Sequence, residues 1–289
     1  MSTTLSSIKL TECPRDAMQG LHQFIPTELK AAYINLLLQV GFDTIDFGSF
    51  VSPKAIPQMK DTAEVLQQLD LNSSKSKLLA IVANYRGAED AVQHKEITYL
   101  GFPFSISETF QHRNANSGIA EAFDTVKRIK ELCGRTNQEL LVYLSMGFGN
   151  PYGDDWNTEI VAQWTEKLVN EGISIIALAD TVGVATPQQI KDIYPNLCAQ
   201  FPSTEFGIHL HATPDAWYEK TEAAYQSGCK RFDTALKGYG GCPMAKDELT
   251  GNIATENLIG YLQSQNEHLE LDFDKFQEAM EYSDRIFNL

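Results

Sequence analysis

No stretch of this sequence approaches the ~20 consecutive apolar residues of a membrane-spanning helix. The Ser/Thr-rich start, Met1 to Leu10, lacks the apolar run of a secretory leader. C-x-x-C pairs are absent, and the five cysteines, at 13, 133, 198, 229 and 242, are odd in number and widely spread. That spacing excludes a zinc ribbon or a disulfide framework and reads as a reduced, cytoplasmic protein with free thiols. Basic residues are few: 23 Lys+Arg against 38 Asp+Glu leave a net charge of −15, which excludes nucleic acid and anionic membrane surfaces as partners. The first candidate strand runs into Cys13-Pro14-Arg15-Asp16, not into G-x-G-x-x-G, so a dinucleotide-binding open sheet is disfavoured.

What is present is a repeated grammar of short apolar run, loop, amphipathic helix and glycine. Gly41, Gly172 and Gly228 each stand just before an apolar run and read as helix stops. Ala185-Thr186-Pro187 and Ala212-Thr213-Pro214 read as helix starts, with a Thr cap before Pro at the first helical position. Strands are expected at about 8–14, 44–49, 78–83, 97–103, 140–146, 174–179, 205–211 and 231–236. Helices are expected at about 27–40, 57–69, 87–93, 119–133, 157–171, 187–200, 214–227 and 255–264, with a terminal one at 273–287. Eight βα units of about 36 residues fit a single (β/α)8 TIM barrel over about 8–265 with a short C-terminal helical extension. No linker or charge block divides the 289 residues, so one catalytic domain is expected.

Barrel active sites lie at the C-terminal ends of the strands. Strand seven ends in His209-Leu210-His211, and alternate residues of a strand share a face, so two of only six histidines point together into the mouth. Convergent imidazoles suit a divalent metal; a pair of satisfied core histidines is the other reading. Arg15 and Asp16 follow strand one as an oxyanion clamp and a hard-oxygen ligand, or as a surface ion pair. Asp180-Thr181 ends strand six and can orient a ligand or a histidine, or simply start a loop. Four glycines surround Cys242, which describes a mobile loop able to close over a site and present a thiol, or a flexible connector.

These segments, with Ser49-Phe50-Val51-Ser52-Pro53-Lys54, Asn84-Tyr85-Arg86-Gly87, Gly240-Gly241-Cys242-Pro243 and Gly251-Asn252-Ile253-Ala254-Thr255-Glu256, run in order from residue 8 to about 262. Together they resemble the HMG-CoA lyase family of metal-dependent TIM-barrel lyases. Arg-Asp and H-x-H are shared with the wider superfamily, whereas the Ser-Phe-Val-Ser-Pro-Lys and Gly-Gly-Cys-Pro segments are lyase-like. The resemblance implies cleavage of 3-hydroxy-3-methylglutaryl-CoA, or a close 3-hydroxyacyl-CoA, to acetyl-CoA and acetoacetate, as in leucine degradation and ketone-body metabolism. It implies Mg2+ or Mn2+ held by Asp16, His209, His211 and Asn252. Arg15, Asp16, His209 and Cys242 are implied as catalytic, Arg15 steadying the acetyl-CoA enolate and Cys242 serving as an acid/base thiol. Arg15, Asp46, Ser49, Asn84, Ser145, Asp180 and Thr181 are implied to line or support the substrate site. The implied partners are an acyl-CoA thioester and a second copy of the chain in a homodimer.

The chain departs from the family pattern at a few positions, of which Asp46 and Ala212 bear on the shape of the acyl pocket. Asp46 replaces a Glu, Ala212 replaces the acid after H-x-H, and Ala17 replaces the glycine after Arg-Asp. Glu12 stands one residue closer to Arg15, and the Cys242 to Asn252 loop is one residue longer. The competing readings are a Claisen-type acyltransferase joining acetyl-CoA to a 2-oxo acid, a 4-hydroxy-2-oxo-acid aldolase, a zinc hydrolase built on H-x-H, and a barrel that binds without turnover.

Overall fold

The computed structural model describes residues 8–241 and 250–288. Eight strands, β1 (Lys9–Glu12), β2 (Thr44–Ser49), β3 (Lys77–Ile81), β4 (Ile97–Ser105), β5 (Glu139–Ser145), β6 (Ile175–Asp180), β7 (Glu205–Ala212) and β8 (Arg231–Thr234), pair in parallel with their sequence neighbours. β8 pairs in turn with β1, which closes the ring. The fold is a TIM barrel, and closure removes the open doubly wound sheet as an alternative. A two-residue strand, β9 (Gly251–Asn252), runs antiparallel to the end of β7.

The surrounding helices are α1 (Pro14–Gln19), α2 (Thr27–Val40), α3 (Thr62–Leu66), α4 (Tyr85–Ala91), α5 (Glu108–Ala115), α6 (Ile119–Cys133), α7 (Thr158–Asn170), α8 (Pro187–Gln200), α9 (Trp217–Gln226), α10 (Thr255–Ser264) and the terminal α11 (Phe273–Phe287). Their apolar spacing explains them. In α2, Ala31, Ile34, Leu37 and Leu38 are buried, and in α6, Ala122, Val126, Ile129 and Cys133, the i, i+3, i+4 stripe that faces a sheet. α11 packs on α2, where Tyr282 stacks on Tyr33 at 6.4 Å.

The expected helix signals hold in part. Gly41 is left-handed at the end of α2, and Thr186 forms a capping box before Pro187. Thr213-Pro214 does not start a helix. Residues 213–216 first form a turn closed by the Ala216 N–H on the Thr213 carbonyl, and α9 begins at Trp217. The expected strand 8–14 ends at Glu12, because Pro14 opens α1. The expected helix 57–69 splits into a 3-10 turn at Pro57–Met59 and α3. The short helices α1 and α5 were not legible, since neither spans enough residues to show a period.

The barrel interior is divided. Leu79, Ile81, Tyr99, Leu141, Tyr143, Ile175 and Ala177, from β3 to β6, make an apolar half. The half contributed by β7, β8, β1 and β2 is polar: His209, Arg231, Asp233, Thr11, Thr44 and Asp46 are all buried. At the N-terminal end Arg231 fills the axis, its Nη1 3.0 Å from Glu205 Oε1. Gly207 leaves room for it, since a Cβ there would meet Arg231 Cγ at 3.1 Å.

Glu12 joins the first strand to the last βα unit. Its carboxyl accepts the Leu236 N–H at 2.8 Å and meets the Thr255 hydroxyl, which also lies 2.9 Å from Thr234 Oγ1. Full burial is the main cause that pushes its pKa up to about 8, so it is neutral in the native state at pH 7. The native state therefore binds a proton that the unfolded chain, at about 4.5, has released. Stability from this group is complete below about pH 4.5 and is lost as pH rises towards 8, by roughly 1.4 kcal/mol per unit. Glu12→Gln removes the titration, so the melting temperature of the variant relative to the wild type should climb between pH 5 and pH 8. A difference that stays flat across that range contradicts a neutral Glu12.

Candidate active site

The mouth is organised by α1, which carries Arg15 and Asp16 inward from the end of β1. The Arg15 guanidinium grips Asp46: Nη2 lies 2.6 Å and Nε 3.0 Å from Oδ2, and Nε lies 3.2 Å from Oδ1. Its Nη1 is 3.1 Å from Asp16 Oδ1 and 3.0 Å from Gln19 Oε1. Arg15, Asp16 and Asp46 are all buried. A fork of this kind fixes the guanidinium plane as well as its charge.

Asp46 and Ser49 stand three apart on β2, an odd spacing that would put them on opposite faces of a regular strand. A bulge between Asp46 and Gly48 corrects this, because Asp46 registers with Leu79 and Ser49 with Ile81, both inward-facing. Gly48 faces the helix layer, where a Cβ would lie 2.4 Å from Thr62 Cγ2. The Ser49 hydroxyl is buried without a hydrogen-bond partner.

On β7 the two imidazoles converge as expected, with Nε2 of His209 3.1 Å from Nε2 of His211. His211 Nδ1 is 3.0 Å from the Thr181 carbonyl, which places the ring proton on Nδ1 and leaves the Nε2 lone pair facing the mouth. Burial and the neighbouring His209 push the His211 pKa down. Burial also opposes charge on His209, but Asp233, with Oδ2 3.4 Å from Nδ1, and Asp16 outweigh it and raise its pKa. For Asp16 burial is likewise outweighed, by Arg15, the two imidazoles and the Asn252 amide, which hold its carboxyl at about 2.

One oxygen of Asp16 and a ring nitrogen of each histidine lie within 4.8 Å of one another. Asn252 closes the group: its Nδ2 donates to Asp16 Oδ2 at 2.6 Å and to the Tyr239 carbonyl at 2.9 Å, while its buried Oδ1 has no partner. An anionic oxygen, an orphaned amide oxygen and two neutral-capable imidazoles fit a divalent cation. Gly240 crosses directly above, in a left-handed conformation, where a Cβ would meet the Ala17 Cα, Asp16 carbonyl and Asn252 amide, each at 2.8 Å. Only glycine lets that backbone come so close.

The remaining expected residues are not all at the mouth. Ser145 is buried at the end of β5 in register with Ser105. Thr181 supports the site through its carbonyl on His211 and through its hydroxyl, which accepts the Met146 N–H at 3.0 Å. Asn84 is exposed, and its side-chain oxygen caps α4 through the Gly87 N–H. Asp180 corrects the expectation of a substrate contact. Odd-numbered Ile175 and Ala177 face the barrel axis, so Asp180 faces the helices, where one oxygen accepts the Ala185 N–H and the other pairs with Lys220. Cys242 and its neighbours in 242–249 lie outside the described residues.

Lys220, on α9, was missed. Its buried ammonium donates to Asp180 Oδ2 at 2.7 Å, to the His211 carbonyl at 2.8 Å and to the Gly183 carbonyl at 2.9 Å. It thus ties the backbone of His211 to the loop whose Thr181 carbonyl orients the His211 ring. The signal was a lysine at i−4 from Ala224 on the core-facing stripe of its helix. Asp233 was missed as well, although Arg231-Phe232-Asp233 puts two charges on one face of a buried strand.

This arrangement, an arginine fork beside a carboxylate–imidazole cluster, lies at the C-terminal mouth of a parallel barrel, where TIM-barrel enzymes carry their chemistry. The HMGL-like family model matches residues 8–282, and the chain belongs to that family of carbon–carbon lyases. It is 32% identical to the mitochondrial hydroxymethylglutaryl-CoA lyase of Mus musculus over all of this chain and 88% of that protein. A crystal structure of the HMG-CoA lyase of Bacillus subtilis superposes with a TM-score of 0.90 at 32% identity, covering 97% of this chain and 93% of that one. An HMG-CoA lyase of Acinetobacter baumannii, solved with coenzyme A and 3-methylmalate, superposes at 0.89 with 30% identity over 100% and 93% of the two chains. No helix among the described residues is long and apolar enough to cross a membrane.

Removing one partner of a buried ion pair typically costs about 3–5 kcal/mol, so Lys220→Met should lower unfolding stability by that order in urea titrations. Lys220→Met/Asp180→Asn should recover most of it. Loss of a group that orients a metal-ligating histidine costs roughly 10–100-fold in affinity. Calorimetric Mn2+ titration should show that loss in both variants; wild-type affinity in the double variant would mean that Lys220 only neutralises Asp180.

Proposed function

We propose that the chain, acting as one catalytic unit over residues 1–289, cleaves 3-hydroxy-3-methylglutaryl-CoA to acetyl-CoA and acetoacetate. The observation that carries this reading is the desolvated Arg15 fork held against Asp46 beside the Asp16, His209 and His211 cluster. The scissile bond lies β to the thioester carbonyl. Its electrons pass into a thioester enolate while the tertiary hydroxyl loses a proton and becomes the ketone of acetoacetate.

Arg15 supplies the countercharge for the enolate oxygen, a charge that exists only as the bond breaks, so its attraction lowers the barrier more than it tightens ground-state binding. Asp46 sets the guanidinium in place before substrate arrives. Burial also holds the Asp46 carboxyl at about 6 against the pull of Arg15, which leaves a basic oxygen at neutral pH. We assign Asp46 as the acceptor of the hydroxyl proton. A Mg2+ or Mn2+ ion held by Asp16, His209, His211 and Asn252 would acidify that hydroxyl and fix its orientation. Cys242, assigned from the family resemblance, gives its thiol proton to the enolate carbon and completes the acetyl methyl group; Asp46 then releases the hydroxyl proton to solvent and the thiolate takes one up, which restores both groups. The reading extends to a cytoplasmic enzyme that acts as a homodimer; its relatives include a rat lyase named as cytoplasmic.

The test is steady-state cleavage of HMG-CoA with Mg2+, with Mn2+ and with chelator, following both products. Metal-dependent turnover of roughly 1–10^3 s−1 is expected, with Arg15→Ala lowering kcat by at least ~10^2-fold and KM little changed, as loss of an oxyanion donor does. Turnover confined to 4-hydroxy-2-oxo acids, or condensation of acetyl-CoA with a 2-oxo acid, assigns the chain to the aldolase or acyltransferase reading instead.

The pH profile gives a second check. Asp46 must be ionised to take the proton, so kcat/KM should fall on the acid side with a limb at or below about pH 6. Asp46→Asn should abolish that limb together with most of the activity; an unshifted limb removes Asp46 as the proton acceptor.

A further inference from the structure

We propose that Cys13, His209 and Asp233 form a second cation site, directed to a thiophilic divalent ion such as Zn2+ or Cd2+, on the inward side of the His209 ring. The Cys13 sulfur, a His209 ring nitrogen and an Asp233 carboxylate oxygen lie within 4.8 Å of one another, and all three residues are buried. The His209 nitrogen that faces Asp233 is Nδ1, 3.4 Å from Oδ2, whereas Nε2 faces His211 across the mouth. The proposal does not depend on which acyl-CoA is cleaved.

Strand register explains why the donors meet. His209 pairs with Asp233 across β7 and β8, and Asp233 pairs with Thr11 across β8 and β1. The three occupy one layer of the polar half of the barrel, and Cys13 follows two residues beyond Thr11 on the same face. Polar atoms without partners gather in this layer: His209 Nδ1, Asp233 Oδ2 and Thr11 Oγ1 are buried with no hydrogen bond. The Cys13 thiol has only the Thr11 carbonyl, at 3.8 Å.

Separation and chemistry both point to an ion. At 3.4 Å, Nδ1 and Oδ2 are too far apart for a charge-assisted hydrogen bond of ~2.7–2.9 Å. Two ligands on a tetrahedral ion with bonds of ~2.0–2.1 Å stand about 3.3 Å apart. Sulfur with imidazole and a single carboxylate selects Zn2+ or Cd2+ and repels Mg2+, the reverse of the oxygen-rich set around Asp16. On binding, the Cys13 thiol releases its proton to solvent and forms the sulfur–metal bond, with no change of oxidation state.

The two sites share one imidazole. A neutral ring that gives its Nδ1 lone pair to an inner ion carries its proton on Nε2, which then cannot ligate an ion at the mouth. A thiophilic ion at Cys13 therefore weakens Mg2+ or Mn2+ binding, and by linkage each ion weakens the other equally. This arm rests on His209 as a ligand at the mouth; the Cys13 arm does not.

The experiment is ultraviolet titration of the metal-free full chain with Cd2+, followed by calorimetric Mn2+ titration with and without saturating Cd2+. The wild type and Cys242→Ser should both develop a thiolate-to-Cd2+ charge-transfer band. Cys13→Ser should lose the band, bind Cd2+ at least ~10-fold more weakly, and keep Mn2+ affinity within about twofold. Asp233→Asn, tested beside it, should weaken Cd2+ binding comparably and serves if Cys13→Ser does not fold. No band in the wild type, or a band that survives in Cys13→Ser, overturns the site. Cd2+ that leaves wild-type Mn2+ affinity unchanged overturns the sharing of His209.

Discussion

The Arg15–Asp46 pair sets the terms for the rest of the mouth. A guanidinium with this little solvent needs anions on more than one side, and it has them: Asp46 in a fork and Asp16 along the remaining edge. Once Arg15 takes one oxygen of Asp16, the other turns towards Asn252 and the two histidines. The positive field that holds Asp16 ionised is the field that suits an enolate, so the position of the proposed metal-binding carboxylate and that of the proposed oxyanion clamp follow from one interaction. Buried pairs of this kind do little for net stability; what this one supplies is a fixed direction for charge.

The second determinant is the division of the barrel interior. With an apolar half from β3 to β6, the charged groups of β7, β8, β1 and β2 have no water on that side and must satisfy one another. Behind them, in the helix layer, Lys220 does the same for Asp180, and by holding two backbone carbonyls it connects the ends of β6 and β7. His209 sits where these constraints meet. Its ring has a carboxylate-bearing environment on each side, one open to the mouth and hard in character, the other closed and containing a thiol.

Much of the fold was legible because the signals are local. Helix stops at glycines, the Thr186-Pro187 start and the amphipathic stripes all depend on residues within a turn or two of one another, and the alternation of elements then admits few architectures. Arg15, Asp16, His209 and His211 were legible for a related reason, since strand-end position and the i, i+2 rule say where a side chain points. For Asp180 the same rule separates the two expected roles: parity counted from Ile175 turns it away from the substrate side and leaves it a supporting group that holds Lys220. The Ser49 side chain points inward only through a bulge that no composition marks.

The sequence by itself determined the barrel class, the acidic surface and the set of residues able to bind a cation or steady an enolate, because periodicity, net charge and residue chemistry are carried in the chain order. Only the tertiary structure decided which of those residues meet. The Arg15 fork spans 31 residues, the Asn252 amide reaches Asp16 across 236, and Lys220 reaches Asp180 across 40. Such contacts depend on ring closure, strand register and the parity of single positions. These are set by packing the whole chain at once, so no local pattern encodes them.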